Sequence, residues 1–130
     1  MNEKTKKIIG WVLGGLIAAI LSLSAIGKLS GAAGPMLSHF GFTENEILMI
    51  GIGELISAIL FLIPKTQSLG TLLLSAYMGG AIVAHMGASV APEELGGESV
   101  QDYTAPSILL IVIWGISFFR NPKVFSSFTD

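Results

Sequence analysis

Cysteine is absent from the 130 residues, which excludes disulfide exchange, thiolate catalysis and thiolate metal binding by this chain. The compartment therefore leaves no trace in redox chemistry. Charge is nearly as scarce: 12% of the residues are charged and the formal net charge is −2, against roughly 25% charged residues in ordinary soluble domains. So weakly acidic a balance implies no nucleic-acid partner.

What fills the sequence instead is apolar. Hydrophobic residues make up 52% of the chain and gather into four long stretches, 8–27, 47–64, 66–92 and 103–119. A single charge, Glu54, interrupts them. Each is long enough, or nearly so, to cross a hydrocarbon layer of roughly 30 Å at about 1.5 Å per helical residue. A soluble bundle needs a polar face on every helix, and the second and third stretches offer none wide enough. The expected fold is therefore all-α: a single domain over 1–130, an integral membrane four-helix bundle with helices near 8–28, 45–63, 68–87 and 104–119. Its principal partner is the lipid bilayer. The basic n-region Lys4, Lys6 and Lys7 resembles that of a signal peptide, but the apolar stretch after it exceeds the usual ~7–15 residues, so a retained membrane helix is expected.

The basic residues set an orientation. Lys4, Lys6, Lys7, Lys65, Arg120 and Lys123 share one side if four helices alternate, whereas Lys28 stands on the other with Glu44, Glu46, Glu93, Glu94, Glu98 and Asp102. The positive-inside rule then places both termini in the cytoplasm and both long loops outside. Thr43-Glu44-Asn45-Glu46 fits a capping box that starts the second helix. Pro64 ends it near Ile63. Gln67 or Ser68 opens the third helix, which leaves only a tight cytoplasmic turn between them. The fourth begins around Thr104 with Pro106 in its first turn. In the outer loops, the apolar run Met36-Leu37-Ser38-His39-Phe40 suggests a short interfacial helix, and Pro92-Glu93-Glu94-Leu95 a helical turn.

Small residues mark expected packing seams. Gly10-x-x-x-Gly14 continues through Ala18 and Ser22, and the third helix carries Gly79, Gly80 and Ala84. Such stripes let helices approach closely in lipid, within the bundle or between copies of a homo-oligomer.

Glu54 carries the sharpest chemical signal. A carboxylate near the bilayer midplane is costly unless paired, hydrated or protonated, and such residues commonly mark functional interiors. It is read either as a proton-exchanging or ligand-anchoring group, or as a structural charge buried against Lys28 or His85. Lys28, at a helix end, is expected to snorkel to the surface, because the rise to Glu54 is near the reach of two long side chains. His85 is a candidate hydrogen-bonding or proton-carrying imidazole. With His39 and Glu54 it shows no recognised metal-ligand spacing, so no metal is assigned. Tyr77 and Ser57 complete the candidate polar site, with Ser75 and Gln101 as further polar neighbours. Trp11, Tyr103 and Trp114 read as interface or packing aromatics.

Ser24-Ala25-Ile26-Gly27-Lys28-Leu29, Gly51-Ile52-Gly53-Glu54-Leu55 and Gly80-Ala81-Ile82-Val83-Ala84-His85 together resemble the DoxX-like group of small four-helix bacterial membrane proteins. The resemblance implies a bacterial cytoplasmic membrane location and singles out Lys28, Glu54 and His85 as positions of a recurrent polar pattern, without a common reaction. It further implies links to thiosulfate and quinone oxidation, to membrane assemblies that resist oxidative stress and, in distant animal relatives, to receptor assembly. The expected role is an accessory subunit or small-ligand binder in a membrane redox or envelope process, with quinone a possible ligand. The alternatives are a component of a quinone-reducing oxidoreductase and a small transporter.

Overall fold

The computed structural model describes residues 2–87 and 103–128, and for Met36, His39, Gly87, Ser127 and Phe128 the backbone alone. The turn expected at Pro92–Leu95 lies outside the described residues. Four long helices, α1 (Glu3–Leu29), α3 (Glu44–Leu62), α4 (Gln67–Gly87) and α5 (Thr104–Arg120), are joined by the short α2 (Gly34–His39) and a 3-10 turn at Pro64–Thr66. The long helices pack in a ring, α1 against α3, α3 against α4, α4 against α5 and α5 back against α1. Three of them are long and apolar enough to cross a membrane, and α5 is a shorter apolar helix of 17 residues. Large apolar side chains such as Val12, Leu23, Met49, Val83 and Ile111 face outward, as a lipid-facing surface requires. The chain is a helical membrane bundle.

Local chemistry sets the helix ends. Thr43 accepts from the Glu46 amide at 3.3 Å while Glu46 accepts from the Thr43 amide at 3.2 Å, the reciprocal cap expected from the sequence. Ile63 leaves the helix in extended geometry before Pro64, where the proline ring disfavours helix in the preceding residue. α1 begins earlier than expected, at Glu3, because the Asn2 side chain accepts from the Thr5 amide at 2.8 Å and carries the three lysines into the first turns.

The two ends of the bundle are built differently. Toward the chain termini the interior is filled by Ile17, Ala58, Phe61, Leu74, Met78, Ile113 and Ile116. Beside this core Gln67 donates to the Ser117 carbonyl at 2.9 Å, and the Thr71 and Ser117 hydroxyls meet at 2.7 Å, joining α4 to α5. Arg120 is only 4% exposed. Its guanidinium donates to the carbonyls of Phe61 at 2.6 Å and Leu62 at 2.8 Å, and it lies 4.2 Å from the Trp11 ring centroid. The last carbonyls of a helix have no partner within it, and water is scarce to supply one in a membrane. A cation there also opposes the negative end of the helix dipole. Gly10 and Gly14 make the berth: a Cβ on Gly10 would stand 2.7 Å from Arg120 Cγ, and one on Gly14 3.4 Å from its Cδ. The Gly10-x-x-x-Gly14 seam thus packs within the chain.

Arg120→Leu should therefore lower stability by about 3–6 kcal/mol, since it removes two hydrogen bonds from a charged group, each contributing about 1.5–3 kcal/mol. Arg120→Lys should recover less than half, because an ammonium lacks the planar fork that serves two carbonyls. Thermal unfolding in detergent measures both, and a lysine variant as stable as the parent would refute the fork.

Toward the loop end the ring is hollow. Gly79 and Gly80 have no atom within 4 Å of an added Cβ, and Gly80, Ala81 and Ala84 line a cavity. Of the stripe read as a packing seam on this helix, Gly80 and Ala84 instead form part of a cavity wall. A missing side chain admits a neighbour only where one is close, and among the described residues none is.

Candidate functional site

The cavity has a volume of about 980 Å³ and is walled by all four long helices together with α2. Its surface is mostly apolar, with Leu37 and Phe40 of the α2 segment and Leu109 of α5 among the lining residues. Among the described residues the polar groups of the lining are few: Ser24, Lys28, Glu54, Tyr77 and His85.

Glu54 is 1% exposed, and its Oε2 accepts from Lys28 Nζ at 2.7 Å. Lys28 does not snorkel. It is itself 8% exposed and donates also to Ser24 Oγ, one turn earlier on α1, at 2.8 Å. The physical reason is Gly51: a Cβ there would lie 3.0 Å from Lys28 Cβ and 3.3 Å from the Ala25 carbonyl, so α1 and α3 come together at this level. Glu54 is three residues further along α3, about 4.5 Å at the helical rise, well inside the span of the two side chains. A hydrogen-bonded ion pair satisfies a charge that would otherwise be costly in hydrocarbon.

Tyr77 lies against the pair, with its ring centroid 5.7 Å from Lys28 Nζ and its phenol interacting with the Glu54 carboxylate. Lys28, Glu54 and Tyr77 are thus one cluster, shared by α1, α3 and α4.

His85 lines the same cavity but bonds elsewhere: Nδ1 donates to the Ala81 carbonyl at 2.7 Å, and the ring meets Phe40 edge-on with centroids 5.0 Å apart. Ser57 stands apart from the cluster, because its hydroxyl donates to the Gly53 carbonyl of its own helix at 2.6 Å and it does not line the cavity. Ser75 likewise bonds back along α4, to the Thr71 carbonyl at 2.7 Å. Among the described residues no three His, Asp or Glu side chains group as metal ligands. Gln101 lies outside the described residues.

Sequence reasoning passed over Ser24 as a site residue. Its signal was the spacing of four to Lys28, which on a helix puts the hydroxyl beside the amine. Arg120 was read only as a topological charge, and no local pattern marked it as buried.

A ring of apolar helices enclosing a buried ion pair defines an integral helical membrane protein. The sequence model of the DoxX-like family matches residues 12–116, and the chain belongs to that family. Neither a curated protein nor a solved structure shows significant similarity to it.

Proposed function

We propose that this protein binds a small lipophilic ligand in the cavity and serves as an accessory component of a redox or envelope process in the bacterial cytoplasmic membrane. The cavity carries the reading. Its volume of about 980 Å³ is at the upper end of the roughly 300–1,000 Å³ of ligand sites, and apolar walls with a few placed polar groups are their usual chemistry. Lys28, Glu54 and Tyr77 anchor the ligand's polar end, with His85 on the α4 wall. A quinone, a flat apolar ring with oxygen acceptors, suits this surface and accords with the links implied for the family.

Solvent extraction of the purified protein followed by mass spectrometry tests the reading. A lipophilic molecule near one per chain is expected from the parent protein. Gly80→Leu should fold normally, since an added Cβ meets nothing within 4 Å, and should hold less of that molecule because its side chain intrudes into the cavity that Gly80 lines. Equal retention by both proteins would rule the cavity out. A stoichiometric protein partner in the same preparation would support the accessory role.

In the same proposal both termini face the cytoplasm. The chain has no cysteine of its own, so single introduced thiols report cleanly. One at Ser126 should react only with reagents that enter the cell, and one at Ser99 with impermeant reagents. Labelling of both from the same side would overturn the four-span arrangement.

A further inference from the structure

The hydrogen bonds around the cavity impose a direction on what it accepts. His85 Nδ1 lies 2.7 Å from the Ala81 carbonyl oxygen. A carbonyl brings no proton, so the proton of this bond resides on Nδ1, and a neutral imidazole then keeps Nε2 as an acceptor. The edge-on contact with Phe40, at an interplanar angle of 73°, holds the ring from the α2 side. His85 is half-buried and lines the cavity, and its hydrogen bond among the described residues is made by Nδ1, which leaves Nε2 as the ring nitrogen for an occupant.

The ion pair is better matched internally. Lys28 directs two of its three ammonium protons to Glu54 and Ser24, and Glu54 also faces the Tyr77 phenol. Lys28 therefore retains one N–H for a ligand oxygen, whereas His85 retains a lone pair. A ligand satisfying both accepts at one point and donates at another.

We propose that His85 Nε2 selects for a hydroxyl donor on the ligand, so that the cavity prefers a lipophilic phenol or hydroquinone head over the same skeleton carrying only acceptors. The inference rests on the cavity being the ligand site. It makes His85 the specificity-determining residue and assigns the lysine to any oxygen-bearing head. A fully oxidised quinone would satisfy Lys28 and leave Nε2 unpaired, whereas the corresponding hydroquinone would satisfy both.

The test uses a redox-inert pair, 4-nonylphenol and 4-nonylanisole, which share ring and tail and differ in O–H against O–CH3. Binding is measured by calorimetry on the full chain in lipid nanodiscs at about pH 8, where free imidazole is neutral, with empty nanodiscs as the blank. The parent protein should bind the phenol about tenfold more tightly than the anisole, the scale of one hydrogen bond gained or lost. His85→Phe, which keeps an aromatic ring beside Phe40, should bind the two equally. His85→Gln, which restores an acceptor, should recover part of the preference. Equal binding by the parent would overturn the inference and leave the cavity reading standing. A preference surviving in His85→Phe would assign it to shape and overturn the inference too. Failure of both compounds to bind would overturn the inference and the cavity reading together.

Discussion

Gly70→Ala should yield little or no folded protein, although alanine is the better helix former. A Cβ at this position would overlap the backbone of Phe61 and Leu60, because α3 and α4, held together by the short turn at Pro64–Thr66, touch backbone to backbone there. Side chains yield by changing rotamer, whereas a helix backbone yields only by moving the helix. Overpacking ordinarily costs about 1–3 kcal/mol and occasionally more, and a clash with backbone falls at the upper end or beyond it. Displacing α3 would also move Phe61 out of the filled core and its carbonyl away from Arg120. The control is Gly80→Ala on the same helix, where an added Cβ meets nothing within 4 Å. It should be neutral or stabilising by up to about 1 kcal/mol, the propensity difference between the two residues. Yield after membrane extraction and the thermal midpoint in detergent compare the two. A Gly70→Ala protein matching its parent in both would mean that α3 and α4 do not approach this closely.

Removing one member of the ion pair should cost more than removing both. Glu54→Leu leaves the Lys28 ammonium with Ser24 alone among its present hydrogen-bond acceptors, and breaking a buried pair in this way costs about 3–5 kcal/mol. Lys28→Met/Glu54→Leu puts apolar side chains of similar volume at both positions, and such replacement is often neutral or stabilising. The double variant should therefore unfold at a temperature near that of the parent, well above Glu54→Leu. It should nevertheless lose the cavity's ligand, which separates binding from folding. Glu54→Gln keeps an acceptor for Lys28 and removes the charge, so it should fall between the parent and Glu54→Leu in stability. If Glu54→Gln folds but loses function in a complementation assay, the carboxylate serves as a charged or proton-exchanging group. Full function in both single variants would make Glu54 dispensable. A double variant no more stable than Glu54→Leu would show that the two side chains are not energetically coupled.

The sequence by itself determined the membrane class, the four apolar helices and most of their ends. Hydropathy is summed along the chain, and a cap such as Thr43 with Glu46 or a stop such as Pro64 acts over three or four residues, so neither needs a tertiary partner to be read. The inward direction of Glu54 was legible for a similar reason, since lipid tolerates a lone carboxylate poorly. Only the tertiary structure decided where Lys28 went. The separation of Lys28 and Glu54 depends on how closely α1 approaches α3, and Gly51 sets that approach. Small residues were ambiguous in the same way. Gly10 and Gly14 admit Arg120, Gly70 admits the backbone of α3, and Gly80 and Ala84 leave space for a ligand-sized cavity. A missing side chain creates room, and its sequence position does not say whether a helix, a guanidinium or nothing from the protein will fill it. Arg120 shows the converse: in the sequence it is a charge just after the last apolar stretch, but its burial follows from the carbonyls of Phe61 and Leu62 that the end of α3 presents beside it.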